Sequence, residues 1–139
     1  MRYLNSMTVL GLTLAAGACS DPVASIDPGD TAACVNVSTV NTGEGLTPSF
    51  SWLPECGAGL LSIHPADDTA SIWRVTNLDN KMLPPIRYGT PPENGSQDSV
   101  AVPLETGKAY RLRLAKFQAT NTPGQEPTIV LLWLDTFVR

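Results

Sequence analysis

Leucine and tyrosine alternate with arginine over Tyr110-Arg111-Leu112-Arg113-Leu114, the sharpest period-two pattern in the chain. Such alternation predicts a strand with one face in the core and the other toward solvent. Shorter apolar runs, separated by turn residues, predict further strands over 34–40, 49–52, 60–63, 71–76, 85–88, 99–103 and 129–138, with the alternating one extending over 109–117. Asp98 to Pro103 reads alternatively as an edge segment, with Pro103 blocking further pairing. The run Ile129-Val130-Leu131-Leu132-Trp133-Leu134 does not alternate, so this last strand is expected to be covered on both faces or to pair with something. Twelve prolines and eleven glycines leave no window for a long helix. About seven short strands at turn-punctuated spacing predict an all-β fold, a two-sheet antiparallel sandwich.

Two stretches stand outside this pattern. Met7 to Ala18 is apolar or small with no charge, follows Arg2, and ends in the small-x-small site Ala16-Gly17-Ala18. That is the grammar of an export signal, and it is too short for a membrane-spanning helix of about 20 residues. Residues 20–33 are small and acidic, are broken by Asp21-Pro22 and Asp27-Pro28-Gly29-Asp30, and lack an apolar face. They read as a tether with a mean span of about 20 Å. The expected organisation is a signal at 1–18, a tether at 19–33 and a sandwich domain at 34–139.

Cys19, placed directly after Ala16-Gly17-Ala18 and before Ser20-Asp21, resembles the lipobox of bacterial lipoproteins, although Ala16 stands where that pattern usually has Leu. An ordinary signal peptidase would leave Cys19 free. The lipoprotein resemblance implies instead a diacylglyceryl group on Cys19, with roughly 0.8 kcal/mol of anchoring per buried methylene. Ser20 in the second mature position resembles outer-membrane sorting. The implied location is the bacterial cell envelope, with the membrane as the first partner. Three cysteines are an awkward number in an oxidising compartment. With Cys19 lipidated, Cys34 and Cys56 remain as a disulfide pair. A metal site built on them is the weaker reading, since neither belongs to a Cys-x-x-Cys unit and the chain has one His.

Charge narrows the function classes. Without Arg2, eight basic residues face thirteen acids, a balance of −5. Seven of those acids lie between Cys19 and Trp73, where there is no Lys or Arg. No basic cluster is present to hold phosphates, so nucleic acid is not expected as a partner. His64, in His64-Pro65-Ala66-Asp67-Asp68, offers a base or metal ligand beside two acids, but a strand end entering a Pro-Asp turn explains the same residues. No Gly-x-Ser-x-Gly elbow, calcium loop or phosphate-cradling glycine loop is present. No catalytic residue, metal or cofactor is therefore assigned, and an enzyme is the least favoured class.

Leu104-Glu105-Thr106-Gly107-Lys108-Ala109-Tyr110 resembles the turn into the penultimate strand of fibronectin type III and immunoglobulin-like domains. There the Tyr hydroxyl ties the corner. Phe50-Ser51-Trp52 and Ile72-Trp73-Arg74-Val75 are similar to earlier strands of such sandwiches, each with a core Trp. The same series, with Cys56-Gly57 and Arg87-Tyr88-Gly89, is similar to small bacterial lipoproteins of this size. Trp52, Trp73 and Tyr110 are expected in the core. Arg87, Tyr88 and the Pro/Gly loop after them, together with Trp133, are the candidates for contact with a ligand or partner. The expected function is a non-catalytic, envelope-anchored interaction or structural module whose partner is a protein or glycan. The alternative is a carbohydrate-binding module using exposed aromatics.

Overall fold

In the computed structural model the alternating segment forms the second-last strand of the larger sheet. The structure describes residues 32–139, so the expected signal at 1–18, Cys19 and the tether up to residue 31 lie outside the described residues. Eight strands follow in order: β1 (Thr39–Thr42), β2 (Ser49–Leu53), β3 (Leu60–Pro65), β4 (Trp73–Thr76), β5 (Ile86–Arg87), β6 (Ser96–Gln97), β7 (Ala109–Gln118) and β8 (Thr128–Val138). They make two antiparallel sheets, one in the order β1-β2-β5 and the other β6-β4-β3-β7-β8. The fold is an all-β two-sheet sandwich, as the spacing of the strands predicts.

Strand alternation sets what lies between the sheets. Phe50 and Trp52 of β2 and Ile86 of β5 turn inward from the smaller sheet, each at most 1% exposed. From the larger sheet come Leu61 and Ile63 of β3, Trp73 and Val75 of β4, and Tyr110, Leu112 and Leu114 of β7, all at most 3% exposed. The register places Leu61 and Ile63 between Val75 and Trp73 on one side and Leu114 and Leu112 on the other. One apolar layer therefore crosses the middle of the larger sheet. Each large side chain removed from water contributes roughly 1.5–3 kcal/mol.

The corner before β7 is closed by the Tyr110 hydroxyl. The Glu105 backbone N–H donates to the Tyr110 hydroxyl at 2.9 Å, and Leu104 is 3% exposed beneath the turn. Gly107, at φ 83°, supplies the left-handed residue that the turn requires. At the opposite entry, Ala33 bridges Gly57 in parallel, and Cys34 N–H donates to the Gly57 carbonyl at 2.9 Å. Among the described residues, pairing thus reaches back to Ala32, whose carbonyl accepts from the Gly57 N–H at 3.0 Å. Gly57 admits no side chain here, because a Cβ would overlap the Asn80 carbonyl oxygen. Cys34 and Cys56 are joined as a disulfide, with Cα atoms 4.9 Å apart.

Three expected strands differ from those observed. Residues 34–38 lie outside β1, held instead by the disulfide and the Gly57 contacts; the ladder starts as Ser38 N–H donates to the Leu53 carbonyl. Residues 99–103 form no strand. Asp98 and Val102 donate to the Arg74 and Ile72 carbonyls, so the chain between them bows out and leaves Val100 86% exposed. The short pairing falls earlier, at β6, where Gln97 lies opposite Val75. β8 is not covered on both faces by any described residue: Ile129, Leu131, Leu134 and Val138 are 41–64% exposed. Its lack of alternation comes from a bulge, since Leu114 lies opposite Trp133 but Ala115 opposite Leu131. The extra residue, Leu132, shifts the phase so that Leu132, Trp133 and Phe137 all pack on the core.

The Cys34–Cys56 bond closes a separation of 22 residues, for which chain entropy gives about 3 kcal/mol. Replacing both cysteines by Ala is expected to lower the unfolding free energy by about that amount in urea titrations. A loss below about 1 kcal/mol would mean that the Gly57 contacts and the β1–β2 ladder hold this entry alone.

Candidate functional site

β5 is two residues long, and its pairing decides what each residue does. Ile86 lies opposite Phe50 and points into the core, so Arg87, opposite Ser49, points out. The Arg87 guanidinium donates to Thr47 Oγ1 at 3.3 Å. No described carboxylate stands within ion-pair distance of it; the ion pairs among the described residues are Arg74–Asp98 and Lys108–Glu105. The next residue, Tyr88, turns back inward. Its N–H donates to the Pro48 carbonyl at 2.8 Å, its ring meets Trp73 at 5.0 Å between centroids, and it is 4% exposed.

The Tyr88 hydroxyl donates to the Val102 carbonyl at 2.5 Å. Burial, with a smaller contribution from Tyr110, pushes its pKa up to about 12. This bond holds residues 98–103 alongside β5. Between them opens a cleft of about 440 Å³ lined by Leu46, Thr47, Arg87, Val100, Ala101 and Pro103. Leu46 and Val100 are 48% and 86% exposed, so the walls are aliphatic and the rim carries one guanidinium. A second cleft of similar volume lies on the other side of Pro103, between Asp67, Ile72, Val102 and Lys108. Lys108 there is engaged with Glu105 at 2.6 Å.

Of the candidates read from the sequence, Arg87 is exposed on the cleft, whereas Tyr88 contributes a buried wall and no free ring face. Trp133 is not brought to them. It sits in β8 of the other sheet, opposite Leu114 and partly packed on the core. Its indole N–H is buried without a described partner. Trp52, Trp73 and Tyr110 are buried, as their strand positions predict. The Trp52 indole N–H donates to the Cys56 carbonyl and that of Trp73 to Gln97 Oε1.

His64 is tied into the turn that follows β3. Its Nδ1 lies 2.8 Å from the Thr69 carbonyl oxygen and its Nε2 3.0 Å from Ser62 Oγ. The carbonyl can only accept, so Nδ1 donates to it, and Nε2 shares a hydrogen bond with the buried Ser62 hydroxyl. Asp68 accepts from the Ala70 N–H at 3.0 Å. Backbone N–H groups of Ala70 and Thr69, then the nearby Arg111 and His64, hold its carboxyl below the usual range. These residues serve the Pro-Asp turn, and no described group of His, Cys, Asp and Glu has the geometry of a metal site.

Sequence reasoning missed Leu46 and Val100, the exposed walls of the cleft. The only signal for them was an aliphatic side chain in each of two turn-rich loops.

Tyr88 titrates near 10 in the unfolded chain and at about 12 in the fold. The folded state therefore keeps this proton more tightly, and stability is untouched below pH 10 and falls as pH rises from about 10 to 12. Tyr88→Phe removes the bond to Val102 and is expected to cost about 1 kcal/mol at pH 7. Its deficit should narrow between pH 10 and 12, where only the parent protein loses this contribution. Unfolding curves at pH 7 and pH 11 check this; a deficit that stays constant contradicts the assignment.

No protein-family model, no curated protein and no solved structure matches the chain, so the cleft is interpreted on its own chemistry.

Proposed function

We propose that this protein is a non-catalytic module held at the bacterial cell envelope by lipid on Cys19, and that it binds a protein partner through the cleft beside Arg87. The observation that carries the binding role is the cleft itself. An exposed guanidinium with no described acid beside it stands over exposed Leu46 and Val100, on loops held by a rigid sandwich. The chemistry that fits is an aliphatic side chain next to a carboxylate on a partner polypeptide. A glycan would need an open ring face to stack on, and the tyrosine and tryptophan nearest this cleft, Tyr88 and Trp73, are both buried.

Three further features support the envelope reading. Cys34 and Cys56 are bonded to each other, which leaves Cys19 as the odd cysteine of the three. The acidic stretch between Cys19 and Ala32 provides length for a tether. The Tyr110 corner and the division of strands between the sheets support the resemblance to fibronectin type III and immunoglobulin-like domains, which are common as display modules.

Cell fractionation and photo-crosslinking test the two parts separately. Cys19→Ala is expected to move the protein out of the membrane fraction; retention there contradicts the anchor. A photoreactive residue replacing Val100 in intact cells is expected to yield a discrete protein adduct that Arg87→Glu abolishes. An adduct indifferent to Arg87→Glu, or the absence of any, contradicts the cleft as the binding site.

A further inference from the structure

The strand registers bring cations together on the outer face of the larger sheet. On β7, Arg111 and Arg113 alternate with the buried Tyr110, Leu112 and Leu114 and so share that face. Their partners on β3 are His64, opposite Arg111, and Ser62, opposite Arg113. Ser62 also lies opposite Arg74 of β4, so an arginine stands on each side of it. On β8, Leu134 lies opposite Arg113. His64, Thr69, Arg111, Arg113 and Leu134 line a pocket of about 220 Å³ on this face.

These cations are not equally compensated. Arg74 is paired with Asp98 at 2.5 Å. Arg111 and Arg113 have no described carboxylate within ion-pair distance, although the chain carries thirteen acids against nine basic residues. Asp68 lies in the field of Arg111, but its carboxylate accepts from the Ala70 N–H in the turn and makes no ion pair with the guanidinium. Arg111 is held in place at the pocket: its Nη2 donates to the Asp68 carbonyl, and its Nε is buried without a described partner. His64 has both ring nitrogens engaged, on the Thr69 carbonyl and the Ser62 hydroxyl, so it forms a wall of the pocket. Two guanidiniums on one face, with Cα atoms about 7 Å apart, repel each other. An anion seated between them removes that cost.

We propose that this pocket binds the phosphate group of a small phosphate monoester. A planar carboxylate is satisfied by the fork of one guanidinium, whereas two guanidiniums from alternate strand positions match a tetrahedral group with three free oxygens. The charges match as well, since a phosphate monoester carries about −1.5 to −2 at pH 7 and faces two guanidiniums. The volume admits a phosphate with a short carbon unit, and Leu134, 57% exposed, gives that unit an apolar wall. The site uses no residue of the Arg87 cleft and needs no lipid on Cys19, so it stands or falls apart from both.

NMR titration of the full chain, with Cys19→Ala to keep acyl chains out of the measurement, tests the site with glycerol 1-phosphate, inorganic phosphate and acetate at matched ionic strength. Glycerol 1-phosphate is expected to shift the Arg111, Arg113 and Leu134 amides saturably, with half-saturation at about 1 mM. Inorganic phosphate should saturate the same amides at higher concentration, and acetate should not saturate them. Arg113→Gln should weaken binding roughly tenfold, and Lys81→Gln, an exposed cation outside the pocket, should leave it unchanged. Leu134→Asp, which brings a carboxylate to the exposed rim, should weaken it too and serves if Arg113→Gln does not fold. Given a saturable titration, cosedimentation with phosphatidylcholine vesicles, with and without phosphatidic acid, separates the sources. Capture that needs both phosphatidic acid and Arg113 supports a lipid-borne phosphate, and no capture supports a soluble one. Shifts that never saturate, acetate bound as tightly as glycerol 1-phosphate, or binding indifferent to Arg113→Gln and Leu134→Asp overturn the proposal.

Discussion

Five aromatic rings run in contact from one side of the sandwich to the other, and the position of almost every other element depends on them. Tyr88 packs on Trp73 at 5.0 Å, Trp73 on Phe50 at 6.5 Å, Phe50 on Phe137 at 5.9 Å, and Phe137 on Tyr110 at 5.8 Å. Phe50 comes from the smaller sheet, and Trp73, Phe137 and Tyr110 from the larger, so the series crosses the interface. Tilted pairs of this kind contribute roughly 0.5–1.5 kcal/mol each beyond the area they bury. Both ends of the series are tyrosines, and each hydroxyl reaches a loop. Tyr88 holds the Val102 carbonyl, and Tyr110 holds the Glu105 N–H. The core thereby fixes residues 102–105, the segment that separates the two clefts.

That arrangement explains how a chain with short strands presents a defined surface. Val100 remains exposed because the residues on either side of it, Asp98 and Val102, are bonded to the Arg74 and Ile72 carbonyls, which makes the chain between them bow outward. The exposed cation beside it, Arg87, follows from register alone. Its neighbour Ile86 must face Phe50, and the period-two alternation then turns Arg87 outward. Packing, local geometry and the proposed binding role are linked through these few residues.

Where one face is buried and the other wet, the sequence was legible. Tyr110, Leu112 and Leu114 announce β7 because Arg111 and Arg113 interrupt them, and the Leu104–Tyr110 spacing announces the corner. The strand itself, β8, is legible and pairs with β7, but the expectation that both its faces are covered fails because the apolar run contains a bulge. A single extra residue puts Leu131 outside and both Leu132 and Trp133 against the core, and no alternation survives in the letters. Residues 99–103 read as an edge strand by composition. The hydrogen bonds from Asp98 and Val102 to carbonyls on β4 and just before it make the segment bow outward instead. Tyr88 looked like a loop aromatic, and its burial follows from a partner ring on Trp73 that is distant in sequence. The cleft escaped for the same reason: Leu46, Arg87 and Val100 meet only through tertiary packing.

Amide exchange measured by NMR on Tyr88→Phe and Tyr110→Phe proteins tests most directly whether the ring series holds the segment between the clefts. The account predicts that Tyr110→Phe accelerates exchange at Glu105 and that Tyr88→Phe accelerates it at Val102, each by roughly tenfold or more. The amides of β3 and the middle of β7 should stay protected in both. Unchanged exchange at Val102 and Glu105, or equal acceleration throughout both sheets, would contradict it.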